Sequence, residues 1–151
     1  MTRFWQVALV LLVCLAFGLQ AADAPVPKAL KYEAQLVWGT NDSKSPDPDQ
    51  KPVTAEVEKR LKSLPLKWQH YYEVQRKQFD MGADGKQRVR LSGDCSIVVK
   101  RLEGDQVEVT LLGKGEVVGR IKQKLPEGET LVLGGNAANF TGWFVVLRQV
   151  K

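Results

Sequence analysis

His70 and Cys95 are the two side chains that could make a nucleophile and its base, a thiol activated by an imidazole. His70 is the only histidine of the chain, and it alternates with Trp68 and Tyr72 as a half-buried strand residue would. Cys95 alternates with Ile97 and Val99, which points it inward as a small apolar filler, where a thiol is inert. No third group stands ready to orient the pair, so no catalytic residue is assigned. The same two residues fall short of the three or four converging ligands that zinc requires. The loop Asn41–Asp49 offers Asp42, Asp47 and Asp49, interrupted by Pro46 and Pro48. It lacks the alternating ligands and central glycine of a calcium loop, so a solvated turn is expected there. Asp80 and Asp84 are available as a carboxylate pair, with no further feature to support them. The expectation is a protein that is not an enzyme and carries no metal and no cofactor.

Other residues suit contact rather than chemistry. Arg88, Arg90, Lys100, Arg101, Arg120, Lys122 and Lys124 alternate with apolar residues and should lie on the outward sides of strands. Brought together, they would make a face suited to anionic polymers or lipid headgroups. Glu108 and Glu116 interrupt the series, and aromatic residues are not interleaved with it as a nucleic-acid stacking surface needs, so no nucleic acid is expected. Trp38, Trp68 and Trp143 could form a sugar platform, but all three run in phase with apolar neighbours, which reads as core. Phe140 differs, standing among small polar residues in the loop Gly134–Gly142 with Asn136 and Asn139. The candidate partner contacts are therefore Asn136, Asn139, Phe140, Arg120, Lys122 and Lys124. Asn41-Asp42-Ser43 and Asn139-Phe140-Thr141 match the glycosylation acceptor pattern.

The elements that must hold these residues follow from periodicity. Met1-Thr2-Arg3 is basic, Phe4 to Leu19 is apolar apart from Gln6, and Ala21 and Ala22 follow. This is the plan of a signal peptide over residues 1–22, implying a secreted or periplasmic protein. Membrane attachment would require that segment to stay uncleaved. Cleavage removes Arg3 and no acid, lowering the net charge from +5 to +4. It also leaves Cys95 as the one cysteine, so a hydrophobic core must stabilise the domain without an internal disulfide. Residues 23–29 read as an extended leader with Pro25 and Pro27, and residues 30–151 as one β-rich domain.

Tyr32, Ala34, Leu36 and Trp38 share one side of a strand whose alternate residues are Glu33, Gln35 and Val37. Pro52 is expected to open a helix whose Val53, Val57, Leu61 and Leu64 share a face, with Glu56–Arg60 and Glu58–Lys62 paired outside. Pro65 ends it. Leu66, Trp68, His70, Tyr72 and Val74 then share a strand face. Val89/Leu91, Cys95/Ile97/Val99, Val107/Val109/Leu111 and Val117/Gly119/Ile121 follow, joined by short Gly-containing links typical of hairpins. Leu131/Leu133 and Trp143–Leu147 close the chain. The predicted fold is mainly β (α+β), an antiparallel β-sandwich or rolled sheet of about seven or eight strands with one amphipathic helix.

The run Gly128-Glu129-Thr130-Leu131-Val132-Leu133-Gly134-Gly135 resembles a strand of secretin-type outer-membrane proteins, and the likeness is confined to those residues. Leu36-Val37-Trp38-Gly39-Thr40, the helix, Leu66-Lys67-Trp68 and Trp143-Phe144-Val145-Val146-Leu147 together resemble a group of short secreted bacterial proteins of unknown function. That resemblance implies no activity and no site residues. The sequence thus points to an exported structural or protein-interaction module of the cell envelope, meeting its partner through an edge strand and the Gly134–Gly142 loop. The alternative is a module that binds carbohydrate or an envelope polymer.

Overall fold

A computed structural model describes residues 28–45, 47–82 and 85–151. The expected signal segment, most of the leader and Asp84 lie outside the described residues. The chain there runs β1 (Leu30–Thr40), β2 (Lys51–Pro52), α1 (Ala55–Lys62), β3 (His70–Met81), β4 (Lys86–Arg90), β5 (Cys95–Arg101), β6 (Gln106–Gly113), β7 (Glu116–Lys124), β8 (Thr130–Asn136) and β9 (Gly142–Val150). The strands form two antiparallel sheets that do not close into a barrel. Sheet A has the order β2-β3-β1-β9-β8, and sheet B the order β4-β5-β6-β7.

Sheet B is a meander because its links are too short for anything else. The β6–β7 link is Lys114-Gly115, with φ of 50° and 82°. Positive φ at both positions gives the two-residue turn whose twist suits adjoining strands. The main core lies between the sheets. Tyr32, Ala34, Leu36, Val145 and Leu147 come to it from sheet A, and Ile97, Val99, Val107, Val109 and Leu111 from sheet B. A second core lies on the other side of sheet A, where Val57 and Leu61 of α1 meet Val37, Trp68, Tyr71, Phe144 and Val146. Among the described residues, sheet A is thus covered on both faces and sheet B on one.

The alternation of the sequence locates the strands, and two bulges change which side chains go where. In the β1–β3 ladder Leu36 pairs with Gln75 and Val37 with Glu73, so Val74 is the extra residue and is 40% exposed. The face expected for Leu66, Trp68, His70, Tyr72 and Val74 is therefore not a single one. Leu66 and Trp68 precede the strand, Trp68 packs in the helix-side core, and Tyr72 stacks against Trp38 on the opposite side. In the β6–β7 ladder Leu111 pairs with Gly119 and Leu112 with Val117, leaving Val118 bulged. Val117, expected inside, is exposed as a result.

The helix begins later than Pro52 suggests. Pro52 lies in the short strand β2, which brings the total above the eight strands expected, and Thr54 caps α1 by accepting from the Val57 N–H. Lys62 pairs with Glu58 at 2.6 Å as anticipated. Glu56, expected to pair with Arg60, pairs instead with Arg148 of β9 at 3.1 Å.

Candidate functional site

The outer face of sheet B is the surface with the most concentrated chemistry. Ile97, Val99, Val107, Val109 and Leu111 point into the core, so alternate residues of the same strands point to solvent. The register then sets the cations in rows. Lys86 stands opposite Lys100, which stands opposite Glu108 and then Lys122. In the next row come Arg88, Val98, Thr110 and Arg120, and beyond it Arg90, Ser96 and Leu112. Lys124 extends the face beside Gln106. Lys86, Arg88, Arg90, Lys100, Arg120, Lys122 and Lys124 are all exposed.

Strands sit about 4.8 Å apart, so cations on adjacent strands, such as Lys86 and Lys100, lie within a Debye length of one another in physiological salt. Glu108 is the one acid in the rows, and it holds Lys122 at 3.4 Å. Among the described residues no carboxylate lies within ion-pair distance of the other six cations. Arg120 is oriented by a 3.2 Å bond from Nε to Thr110 Oγ1. A hollow of about 420 Å³ opens on this face between Arg88, Arg90, Asp94, Ser96 and Leu112. Its two guanidinium groups are suited to bidentate contact with carboxylate, sulfate or phosphate. Arg101, anticipated with this group, is elsewhere. It is half-buried at the end of β5, and its guanidinium donates to the carbonyls of Lys28 and Met81.

A second exposed feature is the tip of the β8–β9 loop. Asn136 ends β8 opposite Gly142. Ala137 N–H donates to Thr141 O, and Thr141 Oγ1 donates to Ala138 O. Asn139 and Phe140 both have left-handed backbone, with φ of 58° and 59°, and Phe140 is 88% exposed. Left-handed φ is unfavourable for a bulky residue and has to be held by its surroundings. Here Trp68 holds it: its buried indole N–H donates to Phe140 O at 2.7 Å. Gly142 makes room for that ring, since a Cβ there would lie 2.7 Å from Trp68.

The residues considered for catalysis are not brought together. His70 starts β3 in sheet A and lines a small hollow with Pro52, Val53, Glu58, Tyr71 and Tyr72. Cys95 starts β5 in sheet B and lines a different cavity, at the end of the sandwich. Burial pushes its thiol up to about 11, so it is protonated at neutral pH. In and beside the Asn41–Asp49 loop, three side-chain oxygens accept backbone bonds. Asp42 N–H donates to Thr40 Oγ1, Asp49 N–H donates to Asp47 Oδ1, and Asn41 Oδ1 accepts from Gln69 N–H. Among the described residues no group of three or more His, Cys, Asp and Glu side chains is arranged to hold a metal ion. Asp80 is exposed on β3.

One polar cluster was not legible beforehand. Glu33 and Gln35 of β1 are 2% and 1% exposed, although their alternation reads as a wet face. β1 is the middle strand of sheet A, with β3 and β9 beside it and α1 on the far side. Glu33 Oε1 accepts from Gln35 Nε2 at 3.0 Å and Arg148 Nε at 3.1 Å, and Oε2 accepts from Gln78 Nε2 at 3.0 Å. Burial alone would raise the Glu33 carboxyl, but the bonds from Gln78 and Gln35 and the charges of Arg148 and Arg76 hold it below its ordinary value. Arg148 also binds Glu56, tying α1 to the sheet. Every oxygen of Glu33 is engaged within the fold, so the cluster is a structural lock.

These features define a class: a mainly β, two-sheet antiparallel protein with a helix on one sheet and an open cationic face on the other. No protein-family profile, curated protein or solved structure matches the chain.

Proposed function

We propose that this chain is an exported, non-enzymatic interaction module of the cell envelope, and that the outer face of sheet B binds an anionic envelope polymer. The observation that carries the reading is the set of seven exposed cations in register with a single acid, Glu108. Such a face gains affinity by releasing counterions from a polyanion, which makes binding fall steeply with salt. Export rests on the basic, apolar and small-residue plan of residues 1–22.

Heparin chromatography tests the polymer reading. The wild-type chain is expected to bind and elute with salt, and an Arg88→Glu/Lys100→Glu variant to elute much earlier with a shallower salt dependence. Equal retention of the two at unchanged thermal stability would exclude the face as the binding surface.

A protein partner is the second reading, favoured by the strained and pinned Phe140 and by edge strand β7, where Val117 and Val118 are each 59% exposed. Edge strands offer unpaired backbone groups to an added strand. Affinity capture from the native envelope should then recover a defined protein with the wild type and lose it with Phe140→Asn.

A further inference from the structure

At one end of sheet B the turns Ser92–Asp94 and Lys114–Gly115 lie beside Leu36 and Trp143 of sheet A. Between them is a cavity of about 250 Å³, walled by Leu36 and Trp143 of sheet A and Cys95 and Gly113 of sheet B. Its origin is in the register. Ile97 pairs with Leu111 and fills the inter-sheet space, but the last pair of that ladder is Cys95 with Gly113, the two smallest side chains of the two strands' inner faces. Trp143 is half-buried although its strand is flanked on both sides, because its ring borders this opening.

The mouth has a different chemistry from the walls. Ser92, Asp94 and Lys114 surround it. Lys114 N–H donates to Asp94 O at 2.8 Å, which ties the two turns together. Lys114 itself has left-handed backbone and an exposed side chain. Lys114 and Asp94 are the two charges at the mouth, and Asp94 also borders the neighbouring hollow that holds Arg88 and Arg90. An apolar interior with a lysine at its rim matches a molecule with an apolar body and an anionic head that pairs with that ammonium. An apolar cavity of about 150 Å³ accommodates benzene, so this one has room for roughly ten carbon atoms.

We infer that the sandwich-end cavity binds a small, free amphiphilic carboxylate, its alkyl or ring body against Leu36, Cys95 and Trp143 and its head beside Lys114. This site shares Asp94 with the hollow on the outer face of sheet B but none of that face's cations, and either can fail without the other. The cavity's size excludes a long lipid tail, and its walls offer no partners for a hydroxyl-rich sugar.

Calorimetric titration of the full chain with straight-chain carboxylates from butanoate to dodecanoate tests it. Burying one methylene tightens binding about fourfold, so Kd should fall by that factor per carbon and level off near ten carbons. Octanoate should also slow modification of the Cys95 thiol by a small methanethiosulfonate, read by mass spectrometry of the Cys95 peptide. Cys95→Leu, which fills the cavity, should weaken octanoate at least tenfold, with Leu36→Phe as the second filling variant if the first does not fold. Lys114→Asn tolerates the left-handed backbone and should weaken octanoate but not octanol. The inference is overturned by absence of octanoate binding. It is equally overturned by affinity that climbs smoothly through dodecanoate, or by unchanged binding in a folded cavity-filling variant. Heparin retention that persists in that variant leaves the cationic face intact and isolates the failure to the cavity.

Discussion

The indole N–H of Trp68 donates to the backbone carbonyl of Phe140 across 2.7 Å, joining the segment before β3 to the tip of the β8–β9 loop. Gly142 lies under the same ring, and Phe144 meets it edge-on with centroids 5.3 Å apart. One buried tryptophan therefore fixes both the helix-side core and the loop that presents Phe140.

This arrangement makes Gly142 sensitive to a single methyl group. A Cβ would lie 2.7 Å from two ring atoms of Trp68, which cannot move without disturbing its bond to Phe140 and its contact with Phe144. Gly142→Ala should destabilise the fold by about 1–3 kcal/mol, the usual cost of overpacking a filled core. Chemical denaturation measures it. Trp68→Phe should cost about 1–3 kcal/mol through the unpaired carbonyl and lost ring area.

Phe140 should behave in the opposite way. Its side chain packs little, at 88% exposed, while its φ of 59° is unfavourable for a bulky residue. Phe140→Asn suits that backbone and should leave stability unchanged or raise it by about 1 kcal/mol. A clear drop in melting temperature for this variant would show that the ring contributes to the fold.

Acid should act through Glu33. Its folded carboxyl titrates below its unfolded value of about 4.3, so its contribution is present above that pH and is lost as pH falls through the folded value. Wild-type stability should decline below about pH 4.3, and Glu33→Gln should have a flatter profile there at lower stability in neutral buffer. Because Arg148 is partly exposed and keeps Glu56, losing the Glu33 charge should cost about 1–3 kcal/mol at neutral pH. Melting temperature against pH for the two proteins provides the comparison.

Alkali should act in part through Cys95. Its thiol is raised to about 11 by burial, so the unfolded chain loses that proton first. The neutral thiol's contribution is complete below the unfolded value of about 8.5 and disappears as pH rises toward about 11. Cys95→Ala should lose the part of the alkaline decline that begins near pH 8.5, at a cost of about 1 kcal/mol in neutral buffer. The decline above about pH 10 should remain, since Tyr32 and Tyr71 are also raised by burial.

Much of the fold was legible because an alternating strand announces its inward side whatever its partner is. Cys95/Ile97/Val99 and Val107/Val109/Leu111 could be assigned to the core from period two alone. By the same rule the cations of β4 and β7 and Lys100 of β5 could be assigned to the outside, while Arg101 at the end of β5 escaped it. Alternation says nothing of the neighbour in the sheet, however, so the rows that set Lys86, Lys100 and Lys122 abreast were not visible. Nor does it reveal a bulge. Val74 and Val117 were misplaced because one extra residue reverses the side on which every later residue falls.

Glu33 marks the boundary most clearly. A glutamate between apolar residues in a strand reads as a solvated side chain, and in an edge strand it would be one. Local sequence determined that β1 is extended, that a helix precedes Pro65 and that the hairpins of sheet B close on their glycines, because backbone sterics and side-chain period act over a few residues. Only the tertiary structure decided that β1 is central, that α1 lies over sheet A and that no described element covers the outer face of sheet B. Those outcomes depend on long-range pairing, where the free energy of burying one face against another is set by surfaces far apart in the chain.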